Sequence, residues 1–541
     1  MQKTAQYRLI IIVSFIFTLF YNFSFFRNVI EIYPLNGMNI IYLLSIYMTL
    51  FLFIAFIFSL LASKYTTKPV LIISLLISSF TAYFMDTYHV IIDYSMIQNS
   101  LQTNLKESLD LFSLELVFYI LFLGVLPSFY VYKTKLVYAS LKLELFTKLK
   151  FLLLSLGLIV VIILSFSQFY TSFFREHKSL KYHANPSFWF YSIINYTKKS
   201  FTSGKIILQP LGEDAKINET PEDKKELIIL VVGEATRADR FSLNGYARQT
   251  NPLLEKEDIV NFSNMRSCGT STAHSVPCMF SIYTKDEYSY KKGITTENIL
   301  DVLTRTNEVN ILWRDNNSDS KNVALRVKYE NFQTSKTNSI CEEDGECRDI
   351  GMLIGLGDFI QQSHQKDVLI VLHQMGNHGP AYYKRYPKEF EKFTPVCKTN
   401  QLEKCTQEEV SNAYDNAILH TDYFLSEVIK FLKPYSKTHE TAMIYMADHG
   451  ESLGENGLYL HGLPYFMAPD SQTHVASLLW LSKEFQEEFD MEQLHAYKSN
   501  AFSQDNLFHT LLGLFEVQTD VYQPALDILD KARKPEHKAH Q

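Results

Sequence analysis

Five runs of predominantly apolar residues, each close to the roughly 20 residues that cross a bilayer core, fill the first 170 positions of the chain. The runs are Leu9–Phe25, Asn39–Ala62, Pro69–Met85, Leu111–Tyr132 and Phe151–Tyr170. We predict that each run is a transmembrane helix. The first run has no small-residue cleavage site after it, so we expect an anchor and not a removable signal peptide.

Beyond the membrane runs the apolar pattern changes to short stretches of Val, Ile and Leu between polar residues. The clearest are Leu227–Val232, Val309–Leu312, Val368–Leu372 and Thr441–Ala447. Continuous short runs of this kind are typical of strands buried on both faces of a parallel sheet. We therefore predict an α/β domain with a mostly parallel sheet flanked by helices.

The basic residues are distributed unevenly between the predicted spans. Lysine and arginine are concentrated before span one, between spans two and three, and between spans four and five: Lys3, Arg8, Lys64, Lys68, Lys133, Lys135, Lys142, Lys148 and Lys150. Positive residues favour cytoplasmic loops. The amino terminus is therefore predicted to be cytoplasmic, and everything after Tyr170 is predicted to lie outside the cytoplasm.

Cysteine usage points to the same topology. All 6 cysteines follow position 267, and they form the close pairs Cys268 and Cys278, Cys341 and Cys347, and Cys397 and Cys405. An even number of cysteines in an external segment suggests three local disulfides in an oxidising compartment. A zinc ribbon is the alternative, but its C-x2-C spacing is absent.

These patterns predict three regions: a five-span membrane domain over 1–170, a connecting region over 171–225, and a catalytic domain over 226–541. The connecting region contains the aromatic run Phe188–Tyr191 among basic residues. This run is consistent with an interfacial amphipathic helix or with a linker that has one packed turn. The polar stretch Gly212–Lys225 is predicted to be a solvated linker.

The charge of the chain excludes one class of partner. The formal net charge is −7, and the basic residues form no continuous face or tail. Proteins that bind nucleic acid generally carry such a basic face. We therefore expect no nucleic-acid partner.

Metal-ligating side chains follow the predicted strands. Glu234 comes after the first strand, His378 after the third, and Asp448 and His449 directly after the fourth, with His461 nearby in sequence. The carboxyl ends of parallel strands meet at one edge of the sheet, so these groups should converge. A carboxylate beside an imidazole suits zinc better than manganese or magnesium.

The hydroxyl-rich loop Cys268–Cys278 is the candidate source of a nucleophile. Its small residues precede a predicted helix start, where backbone N–H groups can receive phosphate oxygens. A threonine hydroxyl is a poor nucleophile near neutral pH unless a metal lowers its pKa. The loop and the metal ligands therefore predict one site for metal-dependent phosphoryl or sulfuryl transfer.

Together these motifs resemble the bacterial phosphoethanolamine transferases that modify lipid A, including the mobile colistin-resistance enzymes. The matching segments are Gly233-Glu234, Cys268–Cys278, Trp313–Lys321, His373–Pro380 and Asp448–Gly457 with His461-Gly462. The resemblance covers nearly the whole chain. It implies five amino-terminal spans in the bacterial inner membrane, followed by a periplasmic domain of the alkaline phosphatase and sulfatase superfamily.

The resemblance also implies roles for individual residues. Thr272 is implied to be the nucleophile that becomes modified with phosphoethanolamine. One firmly bound zinc is implied at Glu234, Thr272, Asp448 and His449. His378 and His461 are implied to bind the substrate phosphate or a second, weaker zinc. Contacts to the headgroup or phosphate are implied for Asn317, Lys321 and Glu451, and the cysteines are implied to pair as above.

The implied reaction transfers phosphoethanolamine from phosphatidylethanolamine to a lipid A phosphate by way of the modified threonine. Both substrates lie in a lipid bilayer, and we expect the protein to be a monomer. The added positive charge would weaken the attraction of polymyxins. One departure from the family pattern is visible, because this chain has Gly233-Glu234-Ala235-Thr236-Arg237 where the family commonly has Gly-Glu-Thr-Ala-Arg.

Three other functions fit the sequence less well. A sulfatase needs a cysteine or serine followed by x-Pro-x-Arg, which the Thr272-Ala273-His274-Ser275 stretch lacks. A glycerol-phosphate polymerase of the lipoteichoic acid type shares five spans and a catalytic threonine but lacks the cysteine pattern. A catalytically inactive membrane sensor conflicts with the presence of Thr272 and every candidate ligand.

Overall fold

The computed structural model describes residues 3–102, 108, 110–201, 208–218, 224–342, 345–363 and 366–538 of the 541-residue chain. The chain folds into two compact units: Met1–Ile97 with Phe112–Lys198, and Gln98–Leu111 with Lys199–Gln541. The segment Gln98–Leu111 thus belongs to the second unit, although it lies between two apolar helices in the sequence. The predicted linker falls partly outside the described residues, at 219–223.

The first unit consists of helices. Their bounds are Gln6–Phe20, Phe23–Ile32, Gly37–Leu61, Thr67–Thr87, Leu114–Tyr119, Leu126–Lys133, Leu141–Ser165, Ser167–Glu176 and Ser187–Phe201, and Tyr94–Gln102 runs into the second unit. A π-helical turn over Ile120–Val125 joins two of them into one span, Leu114–Lys133. Among the described residues, four helices are long and apolar enough to cross a membrane. The number is five when the first two, bent by 55°, are taken as one span.

The first predicted span is not a straight helix. The helix breaks at Tyr21-Asn22, where the backbone of Asn22 is not helical and its side-chain amide binds backbone carbonyls. Its amide donates to the Phe17 carbonyl at 2.9 Å and to the Asn185 carbonyl at 2.7 Å. A buried amide that satisfies these carbonyls stabilises the bend, which a hydropathy pattern does not reveal.

The fifth span differs in its bounds from the sequence prediction. It starts at Leu141 instead of Phe151 and ends at Ser165 instead of Tyr170. The lysines in its first turns are typical of a loop, but a long lysine side chain can also lie along a helix and extend its ammonium to the membrane surface. Lys148 lies in this helix, and its ammonium donates to the carbonyls of Leu60 and Ala62 at 2.9 Å each.

The aromatic run after the spans packs inside the first unit. Trp189 is 4% exposed, and its indole N–H donates to the Ser78 hydroxyl at 2.9 Å. A short parallel strand pair also belongs to this unit and joins β1 (Lys3–Ala5) to β2 (Lys135–Val137). The boundaries predicted from the sequence at 170 and 225 stay a prediction.

A seven-stranded sheet forms the centre of the second unit. In spatial order its strands are β4 (Ile259–Asn261), β13 (Ser477–Leu481), β9 (His439–Ala447), β3 (Lys225–Gly233), β8 (Asp367–His373), β6 (Val309–Asp315) and β7 (Lys328–Asn331). The five from β9 to β7 are parallel, while β13 runs antiparallel to both of its neighbours. The predicted mostly parallel sheet is confirmed, and the four predicted runs all lie in its parallel part.

Short strands and helices surround this sheet. The remaining strands are β5 (Met265–Arg266), β10 (Ser452–Leu453), β11 (Tyr459–Leu460), β12 (His474–Val475) and β14 (Phe502–Ser503). The helices are Thr272–Met279, Tyr290–Thr295, Ile299–Arg305, Leu356–Gln362, Gln407–Leu432, Asp470–Thr473, Lys483–Gln486, Met491–Tyr497, Leu507–Leu514 and Pro535–Lys538. The central strands are buried on both faces, which explains their unbroken apolar sequence.

Candidate metal and nucleophile centre at the carboxyl edge of the sheet

Two adjacent parallel strands, β3 and β9, deliver three metal-ligating side chains to one point. Glu234 follows β3, and Asp448 and His449 follow β9. One ligand atom from each residue lies within 4.8 Å of the others, and all three residues are completely buried. Burying carboxylates without a compensating charge costs folding free energy, so we expect a cation to bind at this cluster.

The donor set fits zinc. His449 Nε2 lies 3.4 Å from Glu234 Oε1 and 3.4 Å from Asp448 Oδ2. Within the described part of the chain, Asp448 Oδ2 accepts no hydrogen bond although it is buried. Two carboxylates and one imidazole around a common centre are ligands that zinc prefers, with a position left open for a further oxygen.

The imidazole of His449 is oriented for metal binding by the backbone next to it. Its Nδ1 lies 2.8 Å from the Gly450 carbonyl, so Nδ1 carries the proton and donates it there. This tautomer leaves the Nε2 lone pair directed at the two carboxylates. Burial lowers the pKa of His449, which favours the neutral, metal-binding form.

Thr272 brings a candidate fourth ligand to the cluster. It is the first residue of the helix Thr272–Met279 and is 6% exposed. Its hydroxyl donates to Glu234 Oε2 at 3.2 Å and lies 3.2 Å from His449 Nε2. A hydroxyl at this point can both bind a metal and face an incoming phosphorus atom. The disulfide Cys268–Cys278 closes the loop that carries it.

Asn317 lies behind Glu234 and holds it in place. Its side-chain amide donates to Glu234 Oε2 at 2.7 Å and to the Gln374 carbonyl at 2.8 Å. The sequence predicted a contact between Asn317 and the substrate. The structure adds a contact with a candidate zinc ligand, which is the arrangement that orients ligands in metal sites.

The loop after β8 approaches Glu234 closely because it contains a glycine. Gly376 has φ +46°, and a Cβ there would lie 3.1 Å from the Glu234 carbonyl oxygen. Asn377 N donates to that carbonyl at 3.1 Å. A side chain at 376 would be strained and would push this loop away from Glu234.

Two further predicted residues, both histidines, lie beside the cluster. The imidazole of His461 lies 4.1 Å from that of His449, centre to centre, and its Nδ1 is 3.2 Å from Glu451 Oε2. The ring of His378 lies 6.3 Å from that of His461. Burial, with Arg385 and His461 adding to it, lowers the pKa of His378 well below its usual value, so His378 is neutral.

Glu451 behaves differently from the carboxylates of the cluster. Burial raises the pKa of its carboxyl to about 8, although His449, Tyr382 and Arg237 act in the opposite direction. A carboxyl of this kind can donate a proton as well as accept one near neutral pH. Lys321, in the loop after β6, is also buried, and its ammonium lies 3.5 Å from Asp319 Oδ1.

Sequence reasoning missed two residues that organise the edge of the sheet. Asp349 accepts the backbone N–H groups of Met375 and Gly376 at 2.9 and 3.1 Å and the Asn316 amide at 2.8 Å. Arg237 donates to the Glu451 carbonyl at 3.1 Å and to Glu455 Oε1 at 2.6 Å. Arg237 belongs to the same sequence motif as Glu234, and this position could have identified it as part of the site. The sequence around Asp349 carries no comparable pattern.

The departure from the family pattern has a local structural basis. Ala235 has φ +51°, and its N–H donates to Asp448 Oδ1 at 3.1 Å. The hydroxyl of the next residue, Thr236, returns to the Glu234 carbonyl at 3.0 Å. The family pattern has a hydroxyl directly after the glutamate. In this chain the hydroxyl belongs to Thr236, one position later, and it supports the backbone of the loop.

Comparison with known families matches both halves of the chain. The family described as “Phosphoethanolamine transferase EptA/EptB” matches residues 50–201, and the family described as “Sulfatase” matches residues 226–517. The chain is 42% identical over 532 residues to “Phosphatidylethanolamine transferase Mcr-1” of Escherichia coli, with 96% of each chain covered. It is 39% identical to “Phosphoethanolamine transferase EptA” of Escherichia coli strain K12, covering 97% of this chain and 96% of the relative.

Solved structures give the same picture. The integral membrane protein lipooligosaccharide phosphoethanolamine transferase A from Neisseria meningitidis matches with a TM-score of 0.94 and 36% identity, over 99% of this chain and all of that one. The separately solved soluble domain of that transferase matches 61% of this chain with a TM-score of 0.59 and 39% identity. The second unit is therefore a sulfatase-like domain of the alkaline phosphatase superfamily that follows a membrane domain.

Proposed function

The chain belongs to the family of phosphoethanolamine transferases related to EptA and EptB, and we propose that it transfers phosphoethanolamine from phosphatidylethanolamine to a phosphate of lipid A through a covalent intermediate on Thr272. The protein is a multi-pass protein of the bacterial inner membrane with its catalytic domain in the periplasm. Donor and acceptor are both membrane lipids. This explains why a domain of a soluble type is attached to several membrane spans.

The first half-reaction forms the intermediate. Thr272 Oγ1 attacks the phosphorus of the donor, a new P–O bond to Thr272 forms, and the P–O bond to diacylglycerol breaks. The hydroxyl proton leaves towards Glu234 Oε2, which already accepts a hydrogen bond from Thr272 at 3.2 Å. The departing diacylglycerol oxygen takes up one proton. Diacylglycerol is released as an alcohol and the phosphoethanolamine remains on Thr272.

The second half-reaction regenerates the enzyme. A lipid A phosphate oxygen attacks the same phosphorus, and the P–O bond to Thr272 breaks in a second in-line displacement. Thr272 Oγ1 takes back a proton and is free for another cycle. Two displacements at one phosphorus predict retention of its configuration, as expected of any covalent transfer through a single nucleophile.

Zinc is the proposed cofactor, held by Glu234, Asp448, His449 and the oxygen of Thr272. When bound, zinc would lower the pKa of the Thr272 hydroxyl and offset charge on the phosphate oxygens. The orientation of His449 by the Gly450 carbonyl and of Glu234 by Asn317 supports this assignment. Both contacts orient the ligands through the protein's own groups.

Neighbouring groups complete the binding of the phosphate. We assign His378 and His461 to its oxygens or to a second, weaker zinc, and Lys321, Asn317 and Glu451 to the headgroup or phosphate. A neutral His378 can donate its N–H to a phosphate oxygen without repelling the zinc. The carboxyl of Glu451, beside His461, can supply the proton that the leaving oxygen needs.

The product carries less negative charge than lipid A. An ethanolamine cap adds an ammonium group to a phosphate, so cationic peptides lose part of their electrostatic attraction to the surface. We propose that expression of this protein confers resistance to polymyxins, including colistin.

The observation that carries the proposal is the position of Thr272 Oγ1, 3.2 Å from both Glu234 Oε2 and His449 Nε2. Purified full-length protein should be incubated with phosphatidylethanolamine labelled in its headgroup. We expect stoichiometric release of diacylglycerol, label on Thr272 by peptide mapping, and transfer of that label to added lipid A. Diacylglycerol release without label on the protein would exclude the covalent route.

A further inference from the structure

Asp110 belongs to the second unit although its neighbours in sequence lead into membrane spans. It lies in the segment Gln98–Leu111, between the helix Thr67–Thr87 and the span Leu114–Lys133. Its carboxylate is 7% exposed. One oxygen accepts from the Arg385 guanidinium at 2.6 Å, and the other accepts from the Lys384 ammonium at 2.9 Å.

Arg385 connects Asp110 to the candidate active site. Its side chain is 1% exposed, and its three nitrogens bind three different partners. Nη2 binds Asp110, Nη1 donates to Glu346 Oε2 at 2.8 Å, and Nε donates to the His378 carbonyl at 2.7 Å. Arg385 thus binds the backbone of His378, and we assign the imidazole of His378 to the substrate phosphate.

Charge balance explains why this arrangement depends on Asp110. A buried guanidinium is stable only when carboxylates compensate it and its N–H groups are hydrogen-bonded. Asp110 and Glu346 provide that compensation through different nitrogens of the guanidinium. Burial opposes ionisation of Asp110, but Arg385 and Lys384 outweigh it and lower the pKa of the carboxyl, so the pair is ionised at neutral pH.

Without Asp110, Arg385 keeps one carboxylate and must change its position or admit water. We expect a shift of the guanidinium to weaken the bond from Nε to the His378 carbonyl, so that the loop that contains His378 loses part of its support. A displacement of a phosphate-binding group by about 1 Å can cost on the order of a hundredfold in rate.

We propose that Asp110 is a positioning residue for the transfer reaction: through its contact with the Arg385 guanidinium it sets the place of His378. This inference rests on the proposed function of His378. It assigns a role in the active site to Asp110, which lies between the third and fourth spans in sequence, in addition to the ligands that follow the strands.

The test uses the full-length protein in lipid nanodiscs with headgroup-labelled phosphatidylethanolamine as donor. Label on Thr272 reports the intermediate, and release of diacylglycerol with lipid A as acceptor gives kcat and KM. We expect Asp110→Asn to lower kcat by about ten- to a hundredfold, with KM for the donor changed by less than about threefold, because a group is misplaced and no donor contact is lost. Arg385→Lys should give a similar loss. Asp110→Glu, which keeps the carboxylate, should recover part of the activity.

Lys384→Gln is the matched control. Lys384 binds the same carboxylate, but its side chain is 30% exposed and makes no contact with His378 among those described, so we expect a change of less than about twofold. The double variant Asp110→Asn with Arg385→Lys should be no slower than the worse single variant, because both act through one contact. Additive losses would overturn the proposal.

The outcomes separate this inference from the proposed function. A wild-type protein that never acquires label on Thr272 refutes the proposed function. A labelled wild type with Asp110→Asn at the same kcat, or with a raised KM alone, refutes the positioning role. If Asp110→Asn loses zinc or melts at a lower temperature, its activity cannot be interpreted by itself. The activities of Arg385→Lys and Lys384→Gln are then compared, and equal activities of these two variants overturn the proposal.

Discussion

The side-chain amide of Asn317 donates a hydrogen bond of 2.7 Å to Oε2 of Glu234, the same oxygen that faces the hydroxyl of Thr272. One carboxylate oxygen therefore has an amide on one side and the candidate nucleophile on the other. Asn317 fixes this oxygen from behind, and Oε1 of Glu234 remains directed at His449. The rigidity of the site depends on residues outside the ligand set.

Asn317→Ala should weaken zinc binding without removing a ligand. We expect the affinity to fall by about 10- to 100-fold, since loss of a group that orients a metal ligand typically costs that much. Zinc retained against a competing chelator, measured by elemental analysis, is the readout. Asn310→Ala is the control, because Asn310 lies on the strand that precedes Asn317 and its amide binds the Ser363 carbonyl instead. Equal retention in both variants would contradict the assignment.

Thr272→Ala should abolish transfer while the fold and the three disulfides persist, because the change removes a small hydroxyl and leaves the core intact. We expect a loss of at least about 10³-fold, the scale seen when a nucleophile is deleted. Thr272→Ser keeps the oxygen and should retain part of the activity. The assay is release of diacylglycerol from phosphatidylethanolamine.

Ser271→Ala is the control for that experiment. Ser271 is the residue before the helix, and its side chain makes no capping hydrogen bond to it. Its removal should change the rate little. Full activity in Thr272→Ala, or label found on Ser271 or Ser275 in the wild type, would refute the assignment of the nucleophile.

Removal of zinc should lower the stability of the second unit. Glu234, Asp448 and His449 are fully buried together, and without a cation the two carboxylates repel each other. A ligand at about 100 times its Kd stabilises the folded state by about 2.7 kcal/mol. Calorimetry with and without a chelator should therefore show a lower Tm that added zinc restores. In Asp448→Asn the chelator should have a smaller effect, and an unchanged Tm in the wild type would exclude zinc binding here.

The part of the second unit that follows residue 206 should fold alone but fail in cells. A chain from about residue 206, exported to the periplasm, keeps the sheet, the candidate ligands and all three disulfides. It loses its tether to the membrane, and with it the high effective concentration of both lipids, and it also lacks Asp110. We expect soluble, zinc-containing protein that leaves lipid A unmodified by mass spectrometry. Undiminished polymyxin protection would show that the spans are dispensable.

The residues at the ends of the central strands were predictable from the sequence for a simple reason. Parallel strands are buried and apolar, so the first polar residues after each one mark the edge where a site forms. Glu234, Asp448 and His449 follow this rule, and the structure brings them together, while His378 lies beside them in the loop after its strand. The same rule places Asn317, but its partner Glu234 lies 83 positions away and only the fold identifies it.

Other features depend on tertiary contacts that leave no pattern in the sequence. Asp349 organises the loop after β8 through backbone N–H groups, which nearly every residue possesses. Asp110 has neighbours typical of a loop between spans, and its partner Arg385 lies 275 positions later. The early start of the fifth span was missed because hydropathy treats lysine as a charge and ignores its long apolar stem.

The disulfide Cys268–Cys278 turns the loop that carries Thr272 into a closed covalent ring. Such a ring forms only after the chain reaches an oxidising compartment. Newly made chains on the cytoplasmic side therefore possess all the candidate site residues but not the restrained loop that carries Thr272, the proposed nucleophile. We therefore expect the loop that carries Thr272 to become restrained only after export.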